Sequence, residues 1–393
     1  MVNIIMNKIN RLNKKLDKAF NGKVNARLKD RCLYLTGELP IWDDIVHAGL
    51  MSVNKKKYTV VNDIVFTGGQ IPPMRVPPIV DKTLDGKRPD VLVIGGGITG
   101  CAIARELTRY KLDIMLVEKE HDVALHASSR NDGMVHPGLD LRKGQLKKKY
   151  NDAGNRMYES LCKELEVPYR NTGQYLCFTD GWLKPAAIAS LIHWKFEGIP
   201  AEYINRSKLI EKEPHLNDKV KFALYFPAAG MVCPYGLSIA YAENAADNGA
   251  HICLDTAVIN IYVKNGKIAS VLTNRGRIYP KVVINAAGVF AEEIARLARD
   301  RFFSIHPRRG TNMIFDKKAA FQVKTIASPF KIAAAKTSAK KEHSKGGGIM
   351  HTVDDNLLVG PNAVETYEKE NFSTHRESIQ TVLEKQRKTS EIQ

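Results

Sequence analysis

Gly95, Gly97 and Gly100 are the residues whose spacing most directly implies chemistry. They lie in Asp90–Gly100, read D-V-L-V-I-G-G-G-I-T-G, and fit G-x-G-x-x-G. The first glycine turns the chain out of a strand. The second lets a pyrophosphate approach the backbone, and the third lets the next helix pack close to the sheet. The N–H groups and dipole at that helix start attract phosphate. Glu118 follows about 20 residues later, where an acid holds ribose hydroxyls.

The elements that must position these residues are legible around them. Val91–Ile94 is a continuous apolar run, as in a buried parallel strand. Residues 98–110 carry Ile98, Ala102, Ile103 and Leu107 at helical spacing, and 114–117 repeat the apolar strand. Strand, glycines, helix, strand and acid agree on a dinucleotide site. The glycine pattern alone leaves FAD and NAD both open.

The chain has 393 residues, enough for two or three domains, with 44% hydrophobic residues. No apolar run reaches membrane-spanning length, and no secretory signal is evident. Six scattered cysteines without a C-x-x-C pair argue against zinc and Fe–S ligation, so no metal site is expected. They fit a reducing, cytoplasmic setting. The net charge of +17 admits nucleic acid, an acidic membrane surface or an anionic substrate. Lysines spread along the chain without interleaved aromatics exclude specific nucleic-acid binding.

Residues 1–22 form a basic amphipathic helix. Ile5, Ile9, Leu12, Leu16 and Phe20 share one face, while Lys8, Arg11, Lys14, Lys15 and Lys18 fall largely elsewhere. Such a helix packs on its own domain or lies peripherally on an anionic membrane; packing is the favoured reading. Residues 23–68 read as two strands around Lys29-Asp30-Arg31, a helix over 41–53 and a third strand over 58–66. This unit resembles a BON-type module, which implies an αβ accessory domain for interaction. Residues 69–88 are proline-rich and read as an extended linker.

Beyond Glu118 lies Ala127–Gly138, A-S-S-R-N-D-G-M-V-H-P-G. With the fingerprint, this loop resembles FAD-dependent oxidoreductases of the glycine-oxidase and glycerol-3-phosphate-dehydrogenase type (the DAO family). Residues 138–158 look most similar to the anaerobic glycerol-3-phosphate dehydrogenase branch. Tyr225–Tyr235 (Y-F-P-A-A-G-M-V-C-P-Y), Val282–Ala291 (V-V-I-N-A-A-G-V-F-A), Pro307–Gly310 (P-R-R-G) and Asn356–Pro361 (N-L-L-V-G-P) match further family stretches.

The resemblance implies an α/β fold: a Rossmann-like FAD-binding domain with an interleaved α+β substrate domain, preceded by the small αβ module. The FAD-binding domain then comprises 89–170, 231–300 and 346–393, and the substrate domain 171–230 and 301–345. It implies FAD as cofactor, with Ser128 and Ser129 at its phosphates, the Val258 backbone at the adenine, and Ala287 and Gly288 in close backbone approach.

The implied reaction is hydride transfer from glycerol-3-phosphate to flavin N5, giving dihydroxyacetone phosphate. A hydroxy acid such as 2-hydroxyglutarate, or an amino acid, is the alternative substrate. The departing hydroxyl proton needs a base, and His136 is the candidate. An anionic substrate needs a cationic fork; Arg308 and Arg309 are candidates, with Arg309, beside Gly310, preferred. With a single glycine fingerprint, electrons are expected to leave to a quinone, oxygen or a partner protein. The family pattern continues past Gln393, so an incomplete C-terminal flavin half, and with it a non-catalytic flavoprotein acting through its N-terminal module, is the competing expectation. The lysine-rich stretch 331–345 reads as an exposed loop.

Overall fold

A computed structural model describes residues 2–54, 57–139, 141, 143–330 and 347–387, without the side chains of 2–6 and 385. The lysine-rich stretch 331–345, the Ile5 side chain and the last six residues lie outside that description. The chain forms two compact units, and each is assembled from three stretches. The first comprises residues 1–126, 242–308 and 365–371; the second comprises 127–241, 309–364 and 372–393.

The first unit opens with α1 (Val2–Phe20), β1 (Val24–Lys29), β2 (Cys32–Leu39), α2 (Trp42–Ser52) and β3 (Thr59–Phe66). β1 pairs antiparallel and β3 parallel with β2. The apolar stripe of α1 is consumed here: Ile9, Leu12, Leu16 and Phe20 are buried with Leu33, Leu35 and Ile45 in one core. Burying each such side chain contributes about 2 kcal/mol, so packing wins over a membrane for this face. The basic residues Lys8, Arg11, Lys15 and Lys18 remain outside.

This module is not pendant. The Asn62 amide donates to Ser304 Oγ at 2.8 Å, and Arg301 pairs with Asp63 at 2.5 Å. Trp42 packs edge-on against His306, Phe66 and Tyr367.

Next come β4 (Val91–Ile94), α3 (Ile98–Leu107) and β5 (Ile114–Val117). β4 and β5 lie centrally in a four-stranded parallel sheet, flanked by His251–Cys253 beside β5 and Val282–Asn285 beside β4. Both central strands are buried throughout, which explains their unbroken apolar runs. Val258–Lys264, Lys267–Thr273 and Gly276–Ile278 form an antiparallel meander sharing a core with them. The proline-rich segment is extended but tied down rather than loose. Leu84 and Gly86 donate to the Arg275 and Arg277 carbonyls, and Asp81 pairs with Arg275 at 3.0 Å.

The second unit is built on a seven-stranded mixed sheet. Its spatial order is Met313–Ile314, Leu357–Gly360, Gly348–His351, Ile326–Pro329, Gln174–Phe178, Phe222–Phe226 and Glu202–Asn205. A smaller sheet joins Met134–Val135, Gly230–Val232 and Tyr169–Arg170. Helices Leu146–Glu164, Lys184–Phe196, Arg206–Lys212 and Arg376–Gln386 lie in this unit. No helix among the described residues is long and apolar enough to cross a membrane.

Candidate functional site

β4 delivers the chain into a turn only glycine can make. Gly95 has φ +111°, and a Cβ there would lie 2.5 Å from the Ala286 carbonyl oxygen and 3.1 Å from Ala287 Cα. The Gly95 amide donates to Val117 O, and the Ala286 amide to Ile94 O, both at 2.9 Å. A Cβ on Gly100 would overlap the Gly95 carbonyl, so α3 can cross the turn closely only with glycine there. Gly97 sits at the N-cap of α3 and no side chain caps it. The helix start therefore presents backbone rather than a capping oxygen, a surface suited to an anion.

Glu118 ends β5 over this turn. Its Oε2 accepts from the Gly96 amide at 2.5 Å and its Oε1 from the Glu120 amide at 2.9 Å. The middle glycine, Gly96, stands at a free position of the G-x-G-x-x-G pattern yet is as constrained. A Cβ on it would lie 2.9 Å from Glu118 Cβ, and the G-G-G run was the available signal.

On the other side, Asn285 organises the A-A-G turn: its side chain accepts from the Ala287 amide and donates to Ala291 O. Gly288 follows with φ +54°. Val258 is buried at the start of its strand; the amide of the preceding Ala257 donates to Asn274 Oδ1 at 2.7 Å. The first unit thus brings Gly95, Gly97, Gly100, Glu118, Ala287 and Gly288 around one strand-end crevice. A side-chain-free cradle with a helix start and a carboxylate can take a pyrophosphate and a ribose, which is the fit an FAD requires.

A charge cluster invisible in the sequence continues from Glu118. Glu120 is only 5% exposed and pairs with Arg75, with Lys119 at 2.5 Å and with His126 at 2.8 Å. Lys119 also pairs with Glu370. Burial pushes the Glu120 carboxyl up, but the bonds from Lys119, His126 and Arg75 outweigh it and hold the pKa at about 2. Glu120, His126 and Glu370 bring three ligand-type atoms within 4.8 Å. The protein's own Arg75 and Lys119 already serve those carboxylates, so the cluster reads as an ion-pair lock.

The second unit holds the other singled-out residues. Ser128 and Ser129 are half-buried in a turn that Asn131 organises, with Asn131 Nδ2 donating to Ser128 O and its Oδ1 accepting from the Gly133 amide, both at 2.9 Å. His136 follows Met134–Val135 and is exposed; its carbonyl accepts from Asn151 at 3.3 Å and Asn155 at 3.1 Å. Asn155 also donates to Ala228 O at 2.8 Å, fixing this loop.

The two arginines differ. Arg308, in the first unit, pairs with Glu365 at 2.7 Å. Arg309, in the second, has a buried Nε with no hydrogen-bond partner among the described residues, and Asn312 Oδ1 is likewise buried and unmatched among them. A buried donor left unpaired costs about 1–3 kcal/mol, so an acceptor at Arg309 would be gained cheaply.

Comparison with known proteins shows the family to which the fold is similar. Residues 90–390 match the family model described as FAD dependent oxidoreductase, DAO. A glycerol 3-phosphate dehydrogenase of Caloramator mitchellensis is 35% identical over 76% of this chain, and the match spans 61% of that relative's length. A glycerol 3-phosphate oxidase of Mycoplasma pneumoniae is 30% identical over 72% of this chain and 73% of its own. Among solved structures, the dithionite-reduced L-alpha-glycerophosphate oxidase of Mycoplasma pneumoniae with FAD bound superposes with a TM-score of 0.68. It is 25% identical, covering 78% of this chain and 79% of that one.

Proposed function

Because the chain belongs to the DAO family of FAD-dependent oxidoreductases, we propose that it oxidises glycerol-3-phosphate to dihydroxyacetone phosphate. The relatives carry that substrate in their names. In this chain the supporting observation is the buried, unpaired Nε of Arg309. A guanidinium with an unused donor suits a phosphate oxygen, and its fork can add a second bond.

On this reading Gly95, Gly97 and Gly100 leave room for the pyrophosphate, and Glu118 takes the ribose. Ser128 and Ser129 serve the phosphates, the Val258 backbone faces the adenine, and Ala287 with Gly288 closes the approach. FAD, when bound, supplies the acceptor for the hydride leaving the substrate's secondary carbinol carbon. His136 takes the proton from the hydroxyl of that carbon, so the carbinol becomes a ketone as the hydride leaves. Arg309 holds the phosphate and fixes which carbon faces the reaction. The electrons pass on to a quinone, oxygen or a partner protein.

The N-terminal module is read as a BON-like accessory unit. Its α1 contributes at most its basic outer side to a peripheral membrane contact, because its apolar stripe is buried.

The test is anaerobic titration of the flavin-loaded protein with glycerol-3-phosphate. Bleaching of the flavin absorbance is expected, and His136→Ala should abolish bleaching while keeping the flavin. Bleaching by 2-hydroxyglutarate or an amino acid instead would move the substrate assignment. A protein that takes up no FAD would overturn the reading.

A further inference from the structure

The helix Lys184–Phe196 is apolar on both sides. Its inner side, Ala187 with Leu191 and Trp194, packs into the core around Phe178, Phe222 and Phe226. Its outer side carries Ile188, Ile192 and Phe196, four residues apart, which places them on one stripe. Trp182 precedes them in the turn leading into the helix. Trp182 is 72% exposed, Ile192 62% and Phe196 80%. From Pro185 to Trp194 there is no Asp, Glu, Lys or Arg. A helix apolar all round is expected to be covered on every side; here one side faces solvent.

The stripe does not end with this helix. A cleft of about 430 Å³ joins Phe196 to Leu146 at the start of the helix Leu146–Glu164. Leu146 is exposed, as is Tyr150 one turn on. Lys148, buried in the cleft, holds the two segments together by donating to Glu197 O at 3.4 Å. Exposed lysines rim the surface: Lys143, Lys147 and Lys149 on one side, Lys184 and Lys195 at the two ends of the apolar helix.

We infer that this stripe, in the second unit and distinct from the dinucleotide crevice, is a peripheral docking surface for an anionic phospholipid bilayer. Indole, phenyl and branched aliphatic groups enter the interface while the flanking ammonium groups meet lipid phosphates. Lysine stems can lie along the apolar surface with their heads in the headgroup layer. A second copy of the chain fits less well. A two-fold contact over the same patch would bring like-charged lysine rims together, whereas an anionic surface neutralises them. The inference is independent of which alcohol is oxidised.

The experiment is vesicle co-sedimentation of the full chain with phosphatidylcholine alone and with phosphatidylcholine containing phosphatidylglycerol, followed also by tryptophan emission. Binding to the anionic vesicles is expected to be at least about tenfold tighter. A blue shift should accompany it and be lost in Trp182→Phe. Ile192→Glu with Phe196→Glu, both on exposed positions, should abolish sedimentation with an unchanged circular dichroism spectrum. The same variant leaves the basic side of α1 intact, so the loss reports on the apolar stripe. No binding of the wild-type chain, or undiminished binding of the double variant, would overturn the inference. So would light scattering that shows a dimer dissociated by the double variant. Flavin bleaching measured without vesicles tests the proposed reaction separately, so either can fail alone.

Discussion

Gly95 and Ala286 stand so close that the first position cannot carry a side chain: its Cβ would sit 2.5 Å from the Ala286 carbonyl oxygen. Two glycine-bearing turns nearly 200 residues apart in sequence therefore meet at the ends of adjacent parallel strands, β4 and Val282–Asn285. Their meeting leaves these strand ends free of side chains, which is where we propose the dinucleotide lies.

Gly95→Ala should accordingly cost about 3 kcal/mol, combining a strained φ of +111° with overlap against backbone. Urea unfolding of the flavin-free protein measures the cost, and flavin retained through gel filtration should be lost. A stable, yellow Gly95→Ala variant would show that the turn can yield.

Arg309→Gln should raise KM for glycerol-3-phosphate by about 30-fold, equivalent to about 2 kcal/mol of charge-assisted hydrogen bonding. The flavin spectrum should not change. Arg308→Gln, whose parent already pairs with Glu365, should shift KM far less; the reverse ranking would reassign the anion site.

The Glu120 lock should make stability fall in acid. The carboxyl sits at about 2 in the folded protein, against an ordinary value of 4.5. A depressed carboxyl stabilises the fold above its unfolded pKa, and that contribution is lost as pH falls from about 4.5 toward about 2. Glu120→Gln should cost about 3 kcal/mol at neutral pH, because it removes the buried carboxylate charge that Arg75, Lys119 and His126 share and leaves Lys119 to Glu370 alone. The variant should also lose part of the acid dependence. Urea midpoints at a series of pH values check both effects.

His306 links the N-terminal module to the rest of the first unit, with its Nε2 3.1 Å from Asn62 Nδ2 and its ring edge-on to Trp42. Burial lowers its pKa below 6.5, despite the opposing pull of Glu292. Protonation then favours the unfolded chain, so its stabilising contribution is present above about pH 6.5 and fades below it. The wild-type urea midpoint should drop between pH 7 and pH 5.5 more steeply than that of His306→Gln. Equal slopes would mean that this imidazole is not the sensor.

The sequence by itself determined the local pieces. Apolar runs and glycine spacing carried β4, the turn and α3, because a buried parallel strand and a close helix approach each tolerate few residue types. Period-3.6 patterning placed Ile9, Leu12, Leu16 and Phe20 on one face of α1. It could not say whether protein or lipid covers that face, since both reward the same pattern.

Only the tertiary structure decided that α1 is buried and that Lys184–Phe196, whose outer residues look like core, faces solvent. It alone joined Arg75, Glu120 and Glu370, which come from a proline-rich strap, a strand end and a late loop. It also separated two neighbouring arginines into one paired and one with a buried, unmatched donor. Such partnerships are set by long-range packing and by the low dielectric around buried charges, neither of which local spacing encodes.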